Sequence, residues 1–290
     1  RVSRGLGDVY KRQERTWNDA NGEERDADTY SFRNRQFNVV PFASLTYKPA
    51  ERHNLSLSYT QRIQRPNIER LSPAIDDSDP LVIIYGNPDL KPESSHNFSL
   101  SAEYMKGRHN VTVTGFYNIV DDRITTAWNQ ALGGQVYTNM SRLQVAGVDA
   151  NASGRYPCGV SWRLSYAYTY EHIRKGEPML SSTRPHTATA RLAYDKDWKH
   201  YGLSVALSGR WLSKVTTDVY TEITSYEQTE RQTYPGYTTW KLSLTQRIWR
   251  GVNVTLAVDN LFDYRPRYYY SNSPSTTGTA CSVGLSLDME

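Results

Sequence analysis

Trp162-Arg163-Leu164-Ser165-Tyr166-Ala167-Tyr168-Thr169-Tyr170-Glu171 alternates without a break. Rings and an aliphatic side chain hold the even positions; Arg163, Ser165, Ala167, Thr169 and Glu171 hold the odd ones. Successive side chains of a strand point to opposite faces, so this segment has one apolar and one polar face. A helix would scatter the same rings around its axis.

The alternation recurs along the chain. Leu55, Leu57 and Tyr59 alternate with Ser56, Ser58 and Thr60, and Phe98, Leu100, Ala102 and Tyr104 with Ser99, Ser101 and Glu103. Leu203, Val205, Leu207 and Trp211 alternate with small or charged residues, as do Trp240, Leu242 and Leu244, and Val252, Val254, Leu256 and Val258. Period two of this kind predicts half-buried strands. About eleven are expected, near residues 36–47, 53–65, 94–105, 110–128, 136–156, 159–172, 186–196, 200–212, 237–249, 252–262 and 280–289.

The connections alternate too. Short ones fall at 48–52, 106–109, 157–158, 197–199 and 250–251; long ones at 66–93, 129–135, 173–185, 213–236 and 263–279. Tight turns at one end and long loops at the other are the anatomy of an outer-membrane barrel. Most segments reach the ~9–11 residues a tilted membrane strand needs, against about 5–6 for an ordinary strand. The expected fold is all-β: an antiparallel up-and-down meander forming part of a transmembrane β-barrel.

Composition agrees. Of 290 residues 38% are hydrophobic and mean hydropathy is −0.67. No run approaches the ~20 apolar residues of a membrane helix, whereas a barrel exposes apolar residues only at alternate positions. Aromatics at 12% argue against a disordered chain. Two cysteines exclude a disulfide-built scaffold. A net charge of +4 gives no footprint for nucleic acid, and none is expected as a partner. Tyr47, Tyr59, Tyr104, Tyr194, Trp198, Tyr201, Trp211, Trp240 and Trp249 sit toward segment ends, where a membrane–water boundary satisfies an amphipathic ring. Charged Arg62, Glu103, Arg163, Glu171, Arg191, Arg210, Lys241, Arg247 and Asp259 all share the polar parity. Arg62, Glu103, Arg163, Arg191, Arg210, Lys241 and Arg247 are the candidate lumen-facing residues, because Arg or Lys at the lipid midplane costs ~2–4 kcal/mol. A soluble sheet would turn the same polar face to solvent.

Residues 1–13, RVSRGLGDVYKRQ, read as translated sequencing adapter, with a basic surface tail as the alternative. They are set aside from fold reasoning, which leaves residues 14–290 as the barrel domain and its natural start upstream. Cys158 falls in a tight turn and Cys281 at the loop end of the last strand. A disulfide needs Cα atoms within about 7 Å, so no bond between them is expected. The six histidines show no metal spacing, and Asp76, Asp77 and Asp79 read as a solvated run, although carboxylates suit a hard cation. No GxSxG, P-loop or CxxC is present, so neither a catalytic constellation nor a cofactor or metal site is assigned.

Two stretches carry a family resemblance. Residues 64–93 contain Arg65-Pro66, Leu71-Ser72-Pro73, Asp79-Pro80 and then Gly86-Asn87-Pro88-Asp89-Leu90-Lys91-Pro92-Glu93. Asp259-Asn260-Leu261-Phe262-Asp263 follows near the end of the penultimate strand. Both resemble signatures of TonB-dependent outer-membrane receptors, particularly the outer-membrane β-barrel family abundant in Bacteroidota, over about residues 36–289. The terminal Leu287-Asp288-Met289-Glu290 departs from the aromatic ending common in such barrels.

The resemblance implies an outer-membrane importer. A siderophore, glycan or similar nutrient would bind the outer loops and a plug, and the TonB complex would act through an N-terminal region not in this sequence. About 22 strands are usual for plugged transporters, so this chain would be the C-terminal half of a barrel. Its prolines at 88 and 92 restrict Asn87 and Lys91 to extended backbone. That marks residues 87–93 as a rigid return to a strand, with Lys91 and Glu93 as an ion-pair candidate. A plug-less barrel serving anchoring, adhesion or assembly, and a soluble secreted β protein, are the alternatives.

Overall fold

The computed structural model describes residues 9–23, 29–72, 75–76, 83–140, 142–173, 179, 182–199, 201–220, 229–248, 251–268 and 278–287. Side chains are described from residue 39 onward, apart from those of Asp76 and Tyr220. In chain order the elements are β1 (Val9–Glu23), β2 (Thr29–Ala50), β3 (His53–Gln64), α1 (Ile68–Leu71), β4 (Ile75–Asp76), β5 (Ile84–Tyr85), β6 (Glu93–Lys106) and β7 (His109–Asp121). There follow β8 (Ile124–Asn129), β9 (Gly134–Asn139), β10 (Leu143–Arg155), β11 (Val160–Ile173), β12 (His186–Trp198), β13 (Tyr201–Leu212), β14 (Val215–Tyr220), β15 (Thr229–Tyr234), β16 (Tyr237–Arg247), β17 (Val252–Asp259) and β18 (Ala280–Leu287).

Twelve of these strands make one antiparallel sheet in the order β1-β2-β3-β6-β7-β10-β11-β12-β13-β16-β17-β18. Neighbours in space are neighbours in sequence once the loop strands are removed, which is the up-and-down meander. The sheet ends at β1 and β18, which do not pair with each other. One strand more than expected is present, because residues 9–23 lack apolar alternation yet pair along their length with β2. Residues 9–13, set aside as adapter, lie within β1 opposite Ala43 to Val39.

Register carries the two faces across the wall. Leu57, Leu100, Val113, Ala152, Leu164, Ala190 and Leu207 share one face, strand to strand, and Ser58, Ser99 and Phe116 begin a row on the other. The apolar face is the uncovered one. Leu100, Leu164, Leu192, Val283 and Leu285 are 51–77% exposed, and no other described element lies over them. On the polar face small residues are buried instead: Ala193, Ala206 and Ala257 are at most 9% exposed. The sheet therefore curls with its polar face inward.

A soluble sheet hides its apolar face against a second layer, and contiguous uncovered apolar surface of this extent marks contact with lipid or a partner. A bare apolar face of this kind does not favour the soluble reading. No described helix is long and apolar enough to cross a membrane. Tyr47, Tyr104, Tyr194, Trp198 and Tyr201 cluster at the short-turn end and Trp211 and Trp240 at the loop end, all on the apolar face. Tyr59 lies nearer mid-strand, and Trp249 is outside the described residues.

The long connections hold more structure than alternation alone predicts. The expected strands 110–128 and 136–156 are each divided in two. The chain leaves the wall at Asp122, which adopts φ 54°, and β8 and β9 form a hairpin beyond it. Aspartate accepts this left-handed conformation more readily than most residues. Residues 213–236, expected as loop, contain the β14–β15 hairpin. At the opposite end Gly107, Gly159 and Gly251 take φ of 60°, 95° and 78°, supplying tight turns. Cys158 and Cys281 are exposed free thiols at opposite ends of the wall.

Candidate functional site

At the loop end, the first signature folds into a latch. Residues 66–72 wind through α1, capped by the Asn67 side chain, which accepts from the Arg70 amide at 3.2 Å. Leu71 and Leu90, 0% and 2% exposed, pack together beneath Ile124 and Tyr137. Gly86 lies so close to α1 that an added Cβ would stand 1.7 Å from the Ser72 carbonyl oxygen. Asn87 closes its own turn by accepting from the Asp89 amide at 2.9 Å and donates to the Tyr137 carbonyl at 2.9 Å. Asn139 accepts from the Lys91 amide at 2.9 Å and donates to the carbonyls of Lys91 and Asp122. Glu93 accepts from the Ile124 amide at 3.3 Å.

Gly86, Asn87, Leu90, Lys91 and Glu93 are thus brought together to fasten the β8–β9 hairpin to the wall. Pro66 is buried where β3 leaves the sheet, while Arg65, Pro88 and Pro92 are half-buried. The expected Lys91–Glu93 ion pair does not form among the described residues: the Glu93 carboxylate serves the Ile124 amide and the Lys91 side chain is exposed. Residues 77–79 of the acidic run are outside the described residues.

The second signature is a tight left-handed turn after β17. Asn260 and Asp263 have φ of 52° and 51°. The Asn260 side chain accepts from the Tyr264 amide and donates to the Tyr264 carbonyl, at 2.9 and 2.8 Å. Leu261 donates its amide to the Trp240 carbonyl, and Phe262, 67% exposed, stands edge-on to the Trp240 ring. Asp263 accepts from the Thr279 amide at 2.9 Å and pairs with Arg265 at 3.2 Å. These two bonds, the amide first, hold its carboxyl below its ordinary pKa.

Between the latches lies a cluster that period two gives no sign of. Arg184 is 2% exposed. Its guanidinium donates to the carbonyls of Ser213 and Pro235 and to the Tyr268 hydroxyl, and it lies 5.0 Å from the Tyr237 ring centroid. Tyr264 stacks on Tyr237 at 5.0 Å, and Tyr234 tilts against Tyr268 at 5.2 Å. Burial, then the hydrogen bond with Tyr268, raises the Tyr264 phenol above its ordinary pKa. One cation therefore ties three loops together. Tyr264 and Tyr268 pack into this cluster; Tyr269 and Tyr270 are outside the described residues.

The candidate lumen residues all lie on the polar face of the sheet. Arg163 stands opposite Arg191, Arg191 opposite Ser208, and Ser208 opposite Lys241. Arg62 faces Ser95, Glu103 faces Thr112, Arg210 faces Thr189 and Thr239, and Arg247 faces Asn253. Lys241 pairs with Asp259 at 2.8 Å and Arg247 with Asp197 at 2.9 Å. Glu171 accepts from the Thr183 amide and hydroxyl.

The TonB dependent receptor-like, beta-barrel family matches residues 10–261. The chain belongs to this family. It is 33% identical over 131 residues to an iron-regulated outer membrane virulence protein of Vibrio cholerae serotype O1, covering 38% of this chain and 19% of that protein. The FrpB iron transporter of Neisseria meningitidis (F3-3 variant) superposes with a TM-score of 0.68 at 18% identity, covering 97% of this chain and 43% of the other. The ferric yersiniabactin uptake receptor FyuA of Yersinia pestis superposes at 0.62 and 17% identity, covering 96% and 40%. This TonB-dependent receptor chain thus spans less than half the length of these relatives. Family and wall together place it in the outer membrane.

Proposed function

We propose that the chain is the C-terminal portion of the barrel of a TonB-dependent importer, of the kind abundant in Bacteroidota, that takes up a nutrient across the outer membrane. The observation that carries the reading is the wall itself: an uncovered apolar outer face, a charged inner face, and loops latched at one end. A barrel built this way presents its long loops to the exterior and its tight turns to the periplasm. Ligand contact falls to loops 66–93, 173–185, 213–236 and 263–279. The Arg184 cluster ties residues 184, 213, 235 and 268 of the last three loops together at the rim, and preorganisation of this kind lowers the ordering cost of binding. The ligand is a small molecule or glycan, and TonB acts through a region upstream of this chain.

The test is growth of a strain carrying the full receptor on its limiting nutrient, with and without TonB. The reading expects uptake that requires both. Uptake that persists at the same rate without TonB, or a receptor whose loss changes no uptake, contradicts it.

A further inference from the structure

Five arginines run diagonally across the inner wall. Arg210 on β13 lies two residues along the register from Arg191 on β12, and Arg191 is directly opposite Arg163 on β11. Two residues further toward the short turns, Ser161 faces Arg155 on β10, and the Arg155 amide donates to the carbonyl of Arg108 in the adjoining turn. With strands about 4.8 Å apart and about 3.4 Å per residue, successive positions are alternately about 8 and 5 Å apart, and the strip is about 23 Å long. It descends from the rim, beside Tyr237, to the periplasmic turns.

Among the described residues nothing lies over the strip and no acid pairs with it. All five side chains are exposed. Two inner-wall hollows of ≈ 440 and ≈ 260 Å³ cover it, one lined by Arg163, Arg191, Arg210 and Lys241, the other by Arg108, Arg155, Arg163 and Arg191. The central pair, Arg163 and Arg191, lines both hollows.

Among the described residues no carboxylate lies within ion-pair distance of any of the five. Neighbouring acids are engaged elsewhere: Asp259 with Lys241, Asp197 with Arg247, Asp195 with the Ser204 hydroxyl, Glu171 with Thr183 and Glu103 with Asn110. Asp149 lies opposite Ala167, four residues outward from the Arg163 level. Like charges directly opposite on adjacent strands are destabilising, so the Arg163–Arg191 pair costs the wall stability that an anion between them would restore.

We propose that this strip is a binding track for a small multivalent oxyanion, and that the imported ligand carries two or more phosphate or carboxylate groups. The substrate class rests on the import reading above. Each guanidinium offers a planar fork that takes an oxyanion through two bonds. Spacings of about 5–8 Å let a ligand with two anionic groups hold one arginine while it engages the next. A low-dielectric wall lined with one sign of charge also concentrates such ions.

The test uses the full receptor that carries this chain, purified in detergent, with pyrophosphate as probe in a calorimetric titration at low salt. Replacing both central arginines, Arg163→Ser with Arg191→Ser, is expected to weaken pyrophosphate binding by about 10- to 100-fold, the scale of lost charge-assisted hydrogen bonds. Arg163→Lys with Arg191→Lys should fall between, and Lys196→Ser, on the outward face of β12, should leave it unchanged. If the double variant loses heat-modifiable migration, each single serine variant decides alone, with about a tenfold loss expected.

Equal affinity in wild type and serine variants, or no pyrophosphate binding at all, overturns the track. So does finding Arg163 and Arg191 unreactive to phenylglyoxal in the ligand-free receptor, since a polypeptide would then cover them. A receptor that binds pyrophosphate through the strip yet supports no TonB-dependent uptake upholds the track and defeats the import reading. A receptor that imports normally while ignoring these substitutions defeats the track alone.

Discussion

Arg184→Met removes the cation at the centre of the rim while keeping an unbranched side chain of similar length. Two carbonyl acceptors, Ser213 and Pro235, lose a charged donor, and the Tyr237 ring loses its cation. Hydrogen bonds to charged groups contribute about 1.5–3 kcal/mol each when buried, and a cation over a ring about 0.5–2 kcal/mol. The rim should therefore lose at least about 3 kcal/mol, which at about 1.4 kcal/mol per decade raises its opening equilibrium by more than about 100-fold. The wall does not depend on this residue, so the loss is local. Hydrogen-exchange mass spectrometry of the full receptor reads it directly. Protection should fall in peptides covering residues 182–186, 213–219, 234–237 and 264–268, and stay unchanged in β10 and β11. Arg184→Lys retains charge but not the fork and should lie between. Unaltered protection at 213–219 and 264–268 would refute the claim that one guanidinium binds three loops together.

Three further outcomes follow from the same geometry. Leu164→Arg places a charge on the outward face and should cost ~2–4 kcal/mol in a lipid refolding titration, whereas Ser165→Arg, one residue away and facing inward, should cost under about 1 kcal/mol. Gly86→Ala drives a methyl into the Ser72 carbonyl and should raise proteolysis in residues 66–93 without changing heat-modifiable migration; unchanged cleavage there contradicts the latch. Asp263 has a folded-state pKa below its ordinary 3.8, so its contribution is complete above the unfolded carboxylate range and is lost as pH falls through the depressed value. Exchange at Thr279, whose amide the Asp263 carboxylate accepts, should accelerate only below about pH 4; acceleration between pH 5 and 7 contradicts the assignment.

Much of the wall was legible because its faces differ in chemistry at every second residue. Trp162 to Glu171 needed no tertiary context to read as a strand. Residues 9–23 carry no such contrast, and β1 is visible only once β2 supplies a partner. Alternation also misled: the single strand expected over residues 110–128 runs past Asp122, where the chain has already left the wall and β8 begins. The latch was partly legible, since proline and glycine announce a fixed turn, but its hydrogen-bond partner Asn139 lies 48 residues from Lys91. Arg184 gave no local signal at all. Its acceptors lie 29, 51 and 84 residues away, and only the closed loops bring them together.

The central claim is that the alternating faces separate lipid from water. Single cysteines placed at Leu164, Leu192, Ser165 and Ser208 of the full receptor, spin-labelled in bilayers, measure this as relative collision with oxygen and with a water-soluble nickel complex. The account predicts that labels at 164 and 192 collide with oxygen and are shielded from nickel, while labels at 165 and 208 show the reverse. Nickel access that is equal at all four positions would contradict it.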